Sequence, residues 1–336
     1  MDPQLLKKID SKTGIVICGH GSRHNSAVKE FAHLSYLIKQ NLNDIPLEFG
    51  YLEFARPIIS QALDKLLEKS VENIIAIPAM LFAAGHAKND IPALLNEYSS
   101  LNDVNISYGR ELGINNSMIG AAGARVKEVL EQNPLVKTSE TLLVVVGRGS
   151  SDPDANSNIC KITRMLVEGF GFGWGETVFS GVTFPLVEPG LRMAANLGFK
   201  KIIVFPYFLF SGVLINRIQR HTEKVSLDYP SIEFLSAGYL GTHNLVVETF
   251  LERIEEVLLG SNLMNCSLCK YRSSLLGFEK EVGLAQLSHH HHVEGINGGE
   301  GHSNQNHQSH SHSHSHNHNL YPNSEHPLGP VTLRSS

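Results

Sequence analysis

Apolar runs and helical apolar patterns alternate along the first part of the chain. The run 13–18 has no polar alternation, which is typical of a strand covered on both faces of a parallel sheet. Strands that alternate with helices in this way indicate a doubly wound α/β fold. The predicted strands are 13–18, 47–54, 73–78 and 105–109, and the predicted helices are 26–42, 58–68, 88–98 and 116–131.

The pattern then begins again in the second part of the chain. "LLVVVGRGSSD" (142–152) resembles "GIVICGHGSRH" (14–24), and "KKIIVFPYFLFSG" (200–212) resembles "ENIIAIPAMLFAA" (72–84). Both pairs are 128 positions apart, a coincidence that chance seldom produces. We therefore predict two homologous α/β halves, residues 10–137 and 138–258, each with a four-stranded parallel sheet flanked by helices.

The two halves differ in their histidines. Arg148 stands where the first half has His20, and Leu214 stands where it has His86. If the fold required these histidines for packing, the second half would need them too. The difference favours a chemical role for His20 and His86, although simple divergence of the repeats is an alternative.

Composition excludes several classes of function. The chain has 336 residues, 42% of them hydrophobic, a net charge of −5 and a pI near 6.4, so nothing favours binding to nucleic acid. The amino terminus has no apolar core of signal-peptide length. The longest apolar run, 202–215, is interrupted by Pro206 and is too short to span a bilayer. We expect a cytoplasmic protein with no membrane partner.

The composition changes after about residue 259. In the segment 259–287, Cys266 and Cys269 form a C-x-x-C motif, which in a reducing cytosol indicates a metal or redox site. The segment 288–336 is rich in His, Ser, Asn and Gly, and 12 of the 18 histidines lie from His289 onward. It lacks the apolar content to pack, so we predict a disordered His-rich tail that binds divalent metal.

Three polar residues follow successive strands at an equal spacing. His20 in "GHGSR", Glu53 in "YLEFARP" and His86 in "LFAAGHAKND" are separated by 33 positions each. A strand order of 2-1-3-4 would bring them together at the carboxyl ends of neighbouring strands, where open α/β sheets bind ligands. Two imidazoles and a carboxylate can hold a divalent first-row metal and can accept protons near neutral pH.

Other interpretations of the first motif carry less weight. A dinucleotide fingerprint would need a glycine at position 24, where His24 stands, and a nucleophile elbow at Ser22 lacks its flanking glycines. A tight turn in which His20 bonds only locally remains an alternative.

"GHGSR", "YLEFARP" and "PAMLFAAGHAKNDI" together resemble the sirohydrochlorin chelatase family, part of the class II chelatases, over residues 13–258. The resemblance implies a chelatase-like fold and the insertion of Co²⁺ or Fe²⁺ into sirohydrochlorin, for cobalamin or sirohaem. It implies that His20 and His86 are the active-site histidines and that Glu53 is their acidic partner. The same three residues would hold the metal loosely.

The carboxyl-terminal "MNCSLC" followed by "KYR" resembles the cobaltochelatase branch of that family. This resemblance implies an iron–sulfur cluster at Cys266 and Cys269. Because a cluster normally takes four thiolates, a second subunit or other ligands would complete it. Zinc that bridges a homodimer and a redox dithiol remain alternatives.

The resemblance thus implies an ATP-independent cobaltochelatase, since the chain has no P-loop pattern. A ferrochelatase is the alternative within the same chemistry, and a metal storage or delivery protein is the alternative from another class. Sirohydrochlorin carries many carboxylates, so cationic side chains should surround the cleft. The candidates are Arg23, Arg56, Lys88 and Arg148.

Overall fold

Eight strands and eight α-helices alternate in the computed structural model, which describes residues 9–261. The strands are β1 (Thr13–Gly19), β2 (Leu47–Tyr51), β3 (Asn73–Pro78), β4 (Asn105–Tyr108), β5 (Thr141–Gly147), β6 (Trp174–Phe179), β7 (Lys201–Pro206) and β8 (Glu233–Ser236). The helices are α1 (Asn25–Lys39), α2 (Ile59–Leu67), α3 (Ile91–Asn102), α4 (Asn116–Gln132), α5 (Pro153–Phe170), α6 (Val187–Ala195), α7 (Val213–Asp228) and α8 (Asn244–Leu258). A π-helix (His86–Asp90) leads into α3, and a 3₁₀-helix (Thr138–Glu140) leads into β5.

The strands form two separate parallel sheets, in the orders β2-β1-β3-β4 and β6-β5-β7-β8. This arrangement confirms the predicted duplicated α/β fold, and the first sheet has the order 2-1-3-4 that would bring His20, Glu53 and His86 together. Cys266, Cys269 and the predicted His-rich tail lie outside the described residues. Within the described residues, no helix combines the length and the apolar character needed to cross a membrane.

The central strand β1 is buried on both faces. Ile15 and Ile17 face a core that lies between the sheets, whereas Val16 and Cys18 belong to a second core on the opposite face. Successive side chains of a strand point to opposite faces. The run therefore needs apolar residues at every position, which is why it lacks polar alternation.

The core between the sheets belongs to both halves of the chain. Phe31 of α1, Met118 of α4, Ile159 of α5 and Phe250 of α8 all contribute to it. Helices α2 and α3 cover the outer face of the first sheet, and α6 and α7 cover that of the second. Because the halves share one core, the domain boundary between residues 137 and 138 stays a prediction.

The observed bounds differ from the predicted ones at several elements, and two of these differences affect the site. The second strand ends at Tyr51 rather than at residue 54, because Phe54 has a φ of +61°, which an extended strand does not allow. The amides of Leu52 and Glu53 still donate to the carbonyl oxygens of Gly19 and His20, so the loop 52–57, which carries Glu53, stays beside the end of β1. The helix predicted from residue 88 is preceded by the π-helix, so His86 lies in a helical turn rather than in a loop.

Candidate active site

His20 lies directly after β1, in a loop whose shape depends on the glycine that follows. Gly21 has a φ of +99°, and a Cβ at this position would collide with the carbonyl oxygen of Glu53. Glycine permits both the left-handed backbone and the close approach. The Nδ1–H of His20 donates to the carbonyl oxygen of Gly21 (3.1 Å), which leaves Nε2 to face the cleft.

Glu53 lies in the loop after β2, and its backbone is tied to the His20 loop. Its amide donates a hydrogen bond to the carbonyl oxygen of His20 (3.0 Å). Its Oε1 is 3.2 Å from Nε2 of His20, and the side chain is only 3% exposed. The carboxylate is therefore a buried group next to the imidazole, on its Nε2 side.

His86 begins the π-helix and is oriented by a carboxylate from the same turn. Its Nδ1–H donates to Oδ2 of Asp90 (2.7 Å), and Asp90 is fully buried. A carboxylate in this position holds the ring and selects the tautomer with a lone pair on Nε2, as it does for histidines that bind metals. π-Helical turns occur frequently at functional sites.

The three residues predicted from sequence converge. His20, Glu53 and His86 can each present a ligand atom, and these atoms lie within 4.8 Å of one another. The two imidazole rings meet edge to face, with their centroids 4.6 Å apart. Two nitrogen donors and one oxygen donor suit a divalent first-row metal and leave further coordination positions open. The same imidazoles are bases that can take up protons.

The second half of the chain also reaches this cleft. Nη2 of Arg148 is 3.4 Å from Nε2 of His20, although the two residues are 128 positions apart. Arg148, Gly181 and Leu214 occupy the positions equivalent to His20, Glu53 and His86. The second half therefore lacks all three donors of its own and contributes a guanidinium to the cleft of the first.

The other predicted cations lie in different surroundings. Arg23 is exposed, and its guanidinium carbon lies 4.8 Å from the centroid of the Phe54 ring. Arg56 is exposed in the same loop as Glu53. Lys88 does not lie at the rim, because its side chain is only 2% exposed and its ammonium is held by acidic residues of the second half. Its position therefore gives no support to the predicted role in substrate binding.

The acidic partners of Lys88 were not anticipated from the sequence. Lys88 Nζ lies 2.8 Å from Asp152 Oδ2 and 3.1 Å from Asp154 Oδ2. Burial alone would lower the pKa of Lys88, but these two carboxylates outweigh that effect and raise it. Asp90 was also missed, although its position four residues after His86 is a signal that a search for helical His–Asp pairs would find.

Comparisons with known proteins identify the family of the chain. The family model CbiX matches residues 14–129 and, a second time, residues 142–257. The chain belongs to the CbiX family, and the two matches coincide with the two sheets.

Individual relatives extend the comparison over most of the chain. It is 39% identical to a sirohydrochlorin cobaltochelatase of Priestia megaterium, over 78% of this chain and 85% of the relative. It is 29% identical to a sirohydrochlorin ferrochelatase of the same organism, over 77% and 95% of the two chains. Among solved structures it resembles SirB from Bacillus subtilis with Fe³⁺, with a TM-score of 0.66 and 28% identity, over 74% of this chain and 96% of SirB.

Proposed function

We propose that this protein is a sirohydrochlorin cobaltochelatase, a lyase that inserts Co²⁺ into sirohydrochlorin without ATP. The observation that carries the proposal is the convergence of His20, Glu53 and His86 within one cleft of a CbiX-family protein. The similarity to a cobaltochelatase over most of both chains supports cobalt as the metal.

The arrangement of donors suits metal transfer. An ion on its way to a macrocycle must be held with open coordination positions, and two imidazoles with one carboxylate leave such positions. The pyrrole nitrogens must lose two protons as the metal enters, and a neutral imidazole can accept a proton whereas a guanidinium cannot. We assign metal binding to His20, Glu53 and His86, and proton acceptance to the two histidines.

The cations near the cleft suit an anionic substrate. Arg23 and Arg56 are exposed on the two loops that carry His20 and Glu53, and Arg148 faces His20 from the second half. Guanidinium groups bind carboxylates through paired, charge-assisted hydrogen bonds. We assign these three arginines to the binding of the carboxylate groups of sirohydrochlorin.

Iron is the second candidate metal. A ferrochelatase is 29% identical over most of its length, and the relatives of known structure include a SirB complex with Fe³⁺ and another with cobalt. Nitrogen and carboxylate donors accept both ions, so availability of the metal would decide between them.

The test is to mix the purified protein with sirohydrochlorin and either Co²⁺ or Fe²⁺ under anaerobic conditions and to follow the absorbance. We expect an absorbance change on metallation that is faster than the uncatalysed reaction, with the larger acceleration for Co²⁺. A larger acceleration for Fe²⁺ would assign the protein to sirohaem synthesis. Metal binding without acceleration for either ion would contradict the enzyme and favour the storage or delivery alternative.

A second metal site is proposed at Cys266 and Cys269, supported by the C-x-x-C spacing. Within the described residues the free cysteines are Cys18, which is buried, and Cys160, which is exposed. A second copy of the chain could supply another C-x-x-C pair and complete a four-thiolate cluster in a homodimer. A cytoplasmic location, which would keep these thiols reduced, is part of this proposal.

The combined substitution Cys266→Ser and Cys269→Ser tests this site. We expect it to abolish the visible absorbance of an iron–sulfur cluster and to leave metal insertion intact. Elemental analysis of anaerobically purified wild-type protein should find iron and sulfide. Zinc in place of iron would contradict the cluster and support the bridging zinc site.

A further inference from the structure

Phe54 occupies a strained turn directly after Glu53. Its φ is +61°, in the left-handed region that bulky residues rarely adopt. The amide of Ala55 donates a hydrogen bond to the carbonyl oxygen of Glu53 (2.8 Å), which closes a three-residue turn around Phe54. A γ-turn with positive φ is rare and strained. The side chain that this turn presents is nevertheless large, apolar and 42% exposed.

The same turn recurs in the second half. Val182, the equivalent of Phe54, has a φ of +67°, and the amide of Thr183 donates to the carbonyl oxygen of Gly181 (2.7 Å). Val182 is 44% exposed. Glycine would adopt this backbone without strain, yet both halves place an exposed apolar side chain here. Strained backbone of this kind is concentrated at ligand-binding sites.

The surroundings of Phe54 indicate what it could bind. Its ring centroid is 6.2 Å from that of His20, and the guanidinium carbon of Arg23 is 4.8 Å from it. The ring therefore lies beside the candidate metal site and next to an exposed cation. A flat aromatic ligand with carboxylate substituents could contact the ring and pair with Arg23 at the same time.

We propose that Phe54 binds the face of the tetrapyrrole macrocycle and that the γ-turn sets the position of the ring relative to Glu53. This inference rests on the function proposed above and adds a substrate contact to it. Because Glu53 and Phe54 are adjacent, about 3.8 Å separates their Cα atoms. The carbonyl of Glu53 is held by Ala55 and packs against Gly21, so the metal ligand and the macrocycle contact form one rigid unit.

The test separates binding of the macrocycle from binding of the metal. We would titrate sirohydrochlorin into the metal-free protein and follow its fluorescence, and measure Co²⁺ affinity separately by calorimetry. Phe54→Ala should raise the Kd and the KM for sirohydrochlorin roughly tenfold, the scale of a lost aromatic contact. The Kd for Co²⁺ should stay within about twofold of wild type, because the carboxylate of Glu53 is retained.

Two further variants sharpen the result. Phe54→Gly removes the ring and also relieves the positive φ, so it should lose macrocycle affinity while its thermal midpoint stays the same or rises. Tyr36→Leu is the matched control, because Tyr36 is 55% exposed in the last turn of α1 and removal of its ring should leave both affinities unchanged.

Failure of this inference differs from failure of the proposed function. A wild-type protein that neither binds nor metallates sirohydrochlorin would reject the proposed function, and the Phe54 contact with it. An active wild-type protein whose Phe54→Ala variant keeps its Kd and KM would reject the Phe54 contact alone. Equal losses of Co²⁺ and macrocycle affinity would also reject it, since Phe54 would then act through Glu53.

Discussion

The ammonium of Lys88 lies 2.8 Å from the carboxylate of Asp152, a residue of the other half of the chain. Lys88 belongs to the π-helix that carries His86, and Asp152 precedes the first residue of α5. Lys88 and Asp152 form a cluster with Asp154, and each of the three side chains is at most 10% exposed. The second half, which has no equivalent of His20 or His86, therefore holds the turn that presents His86.

Lys88→Met should destabilise the protein by about 3–5 kcal/mol, because it leaves two buried carboxylates without their cation. Urea unfolding would measure the loss. Lys127→Met is the matched control, since Lys127 pairs with Glu131 on the surface and should change the unfolding midpoint little. An unchanged midpoint for Lys88→Met would mean that the cluster does not hold the halves together.

The proposed metal ligands should dominate activity. We expect His20→Ala and His86→Ala each to lower the metallation rate by roughly a hundredfold or more, the scale of a lost general base. Glu53→Gln should also impair insertion, because it removes the charge and keeps the shape. Arg148→Ala should cost far less, since a guanidinium cannot accept a proton.

Steady-state metallation rates, with circular dichroism to establish folding, provide the measurement for these four variants. Near-normal turnover of His20→Ala together with an inactive Arg148→Ala would place the active site in the second half and contradict the assignment to the first.

Asp90→Asn should weaken Co²⁺ binding by about 10–100-fold, the range seen when a carboxylate behind a metal-binding histidine is removed. An amide offers a weaker acceptor to Nδ1 of His86 and can present its own N–H group instead, which would favour the other tautomer. Calorimetry with Co²⁺ would measure the effect. Asp103→Asn is the control, because Asp103 is exposed at the end of α3 and asparagine tolerates its left-handed backbone. Equal affinity of both variants would argue against a role for Asp90.

Deletion of residues 288–336 should leave turnover at saturating Co²⁺ nearly unchanged and should raise the metal concentration that gives half the maximal rate. The reason is that the segment has little apolar content but many imidazoles, which would concentrate metal rather than transfer it. Metallation rates over a range of Co²⁺ concentrations would measure the change. A folded but inactive truncated protein at high Co²⁺ would contradict this expectation.

Much of the candidate site follows from the sequence because the relevant signals are local. The apolar run 13–18 predicts a buried central strand, and the 33-residue spacing predicts that His20, Glu53 and His86 follow successive strands. Parallel βα units place the ends of successive strands at one edge of a sheet. The duplication at a spacing of 128 residues then predicts a second sheet of the same order.

Only the tertiary structure decided which charges meet. Arg148 contacts His20 and Lys88 contacts Asp152 because the two halves pack around one shared core, and no periodicity in the sequence reports how two such halves are oriented. The sequence contains the cation Lys88 but does not indicate that it is buried. The sequence likewise does not predict the left-handed backbone at Phe54, because bulky residues disfavour it; it occurs beside the close approach of the Glu53 carbonyl to Gly21, which only the folded chain creates.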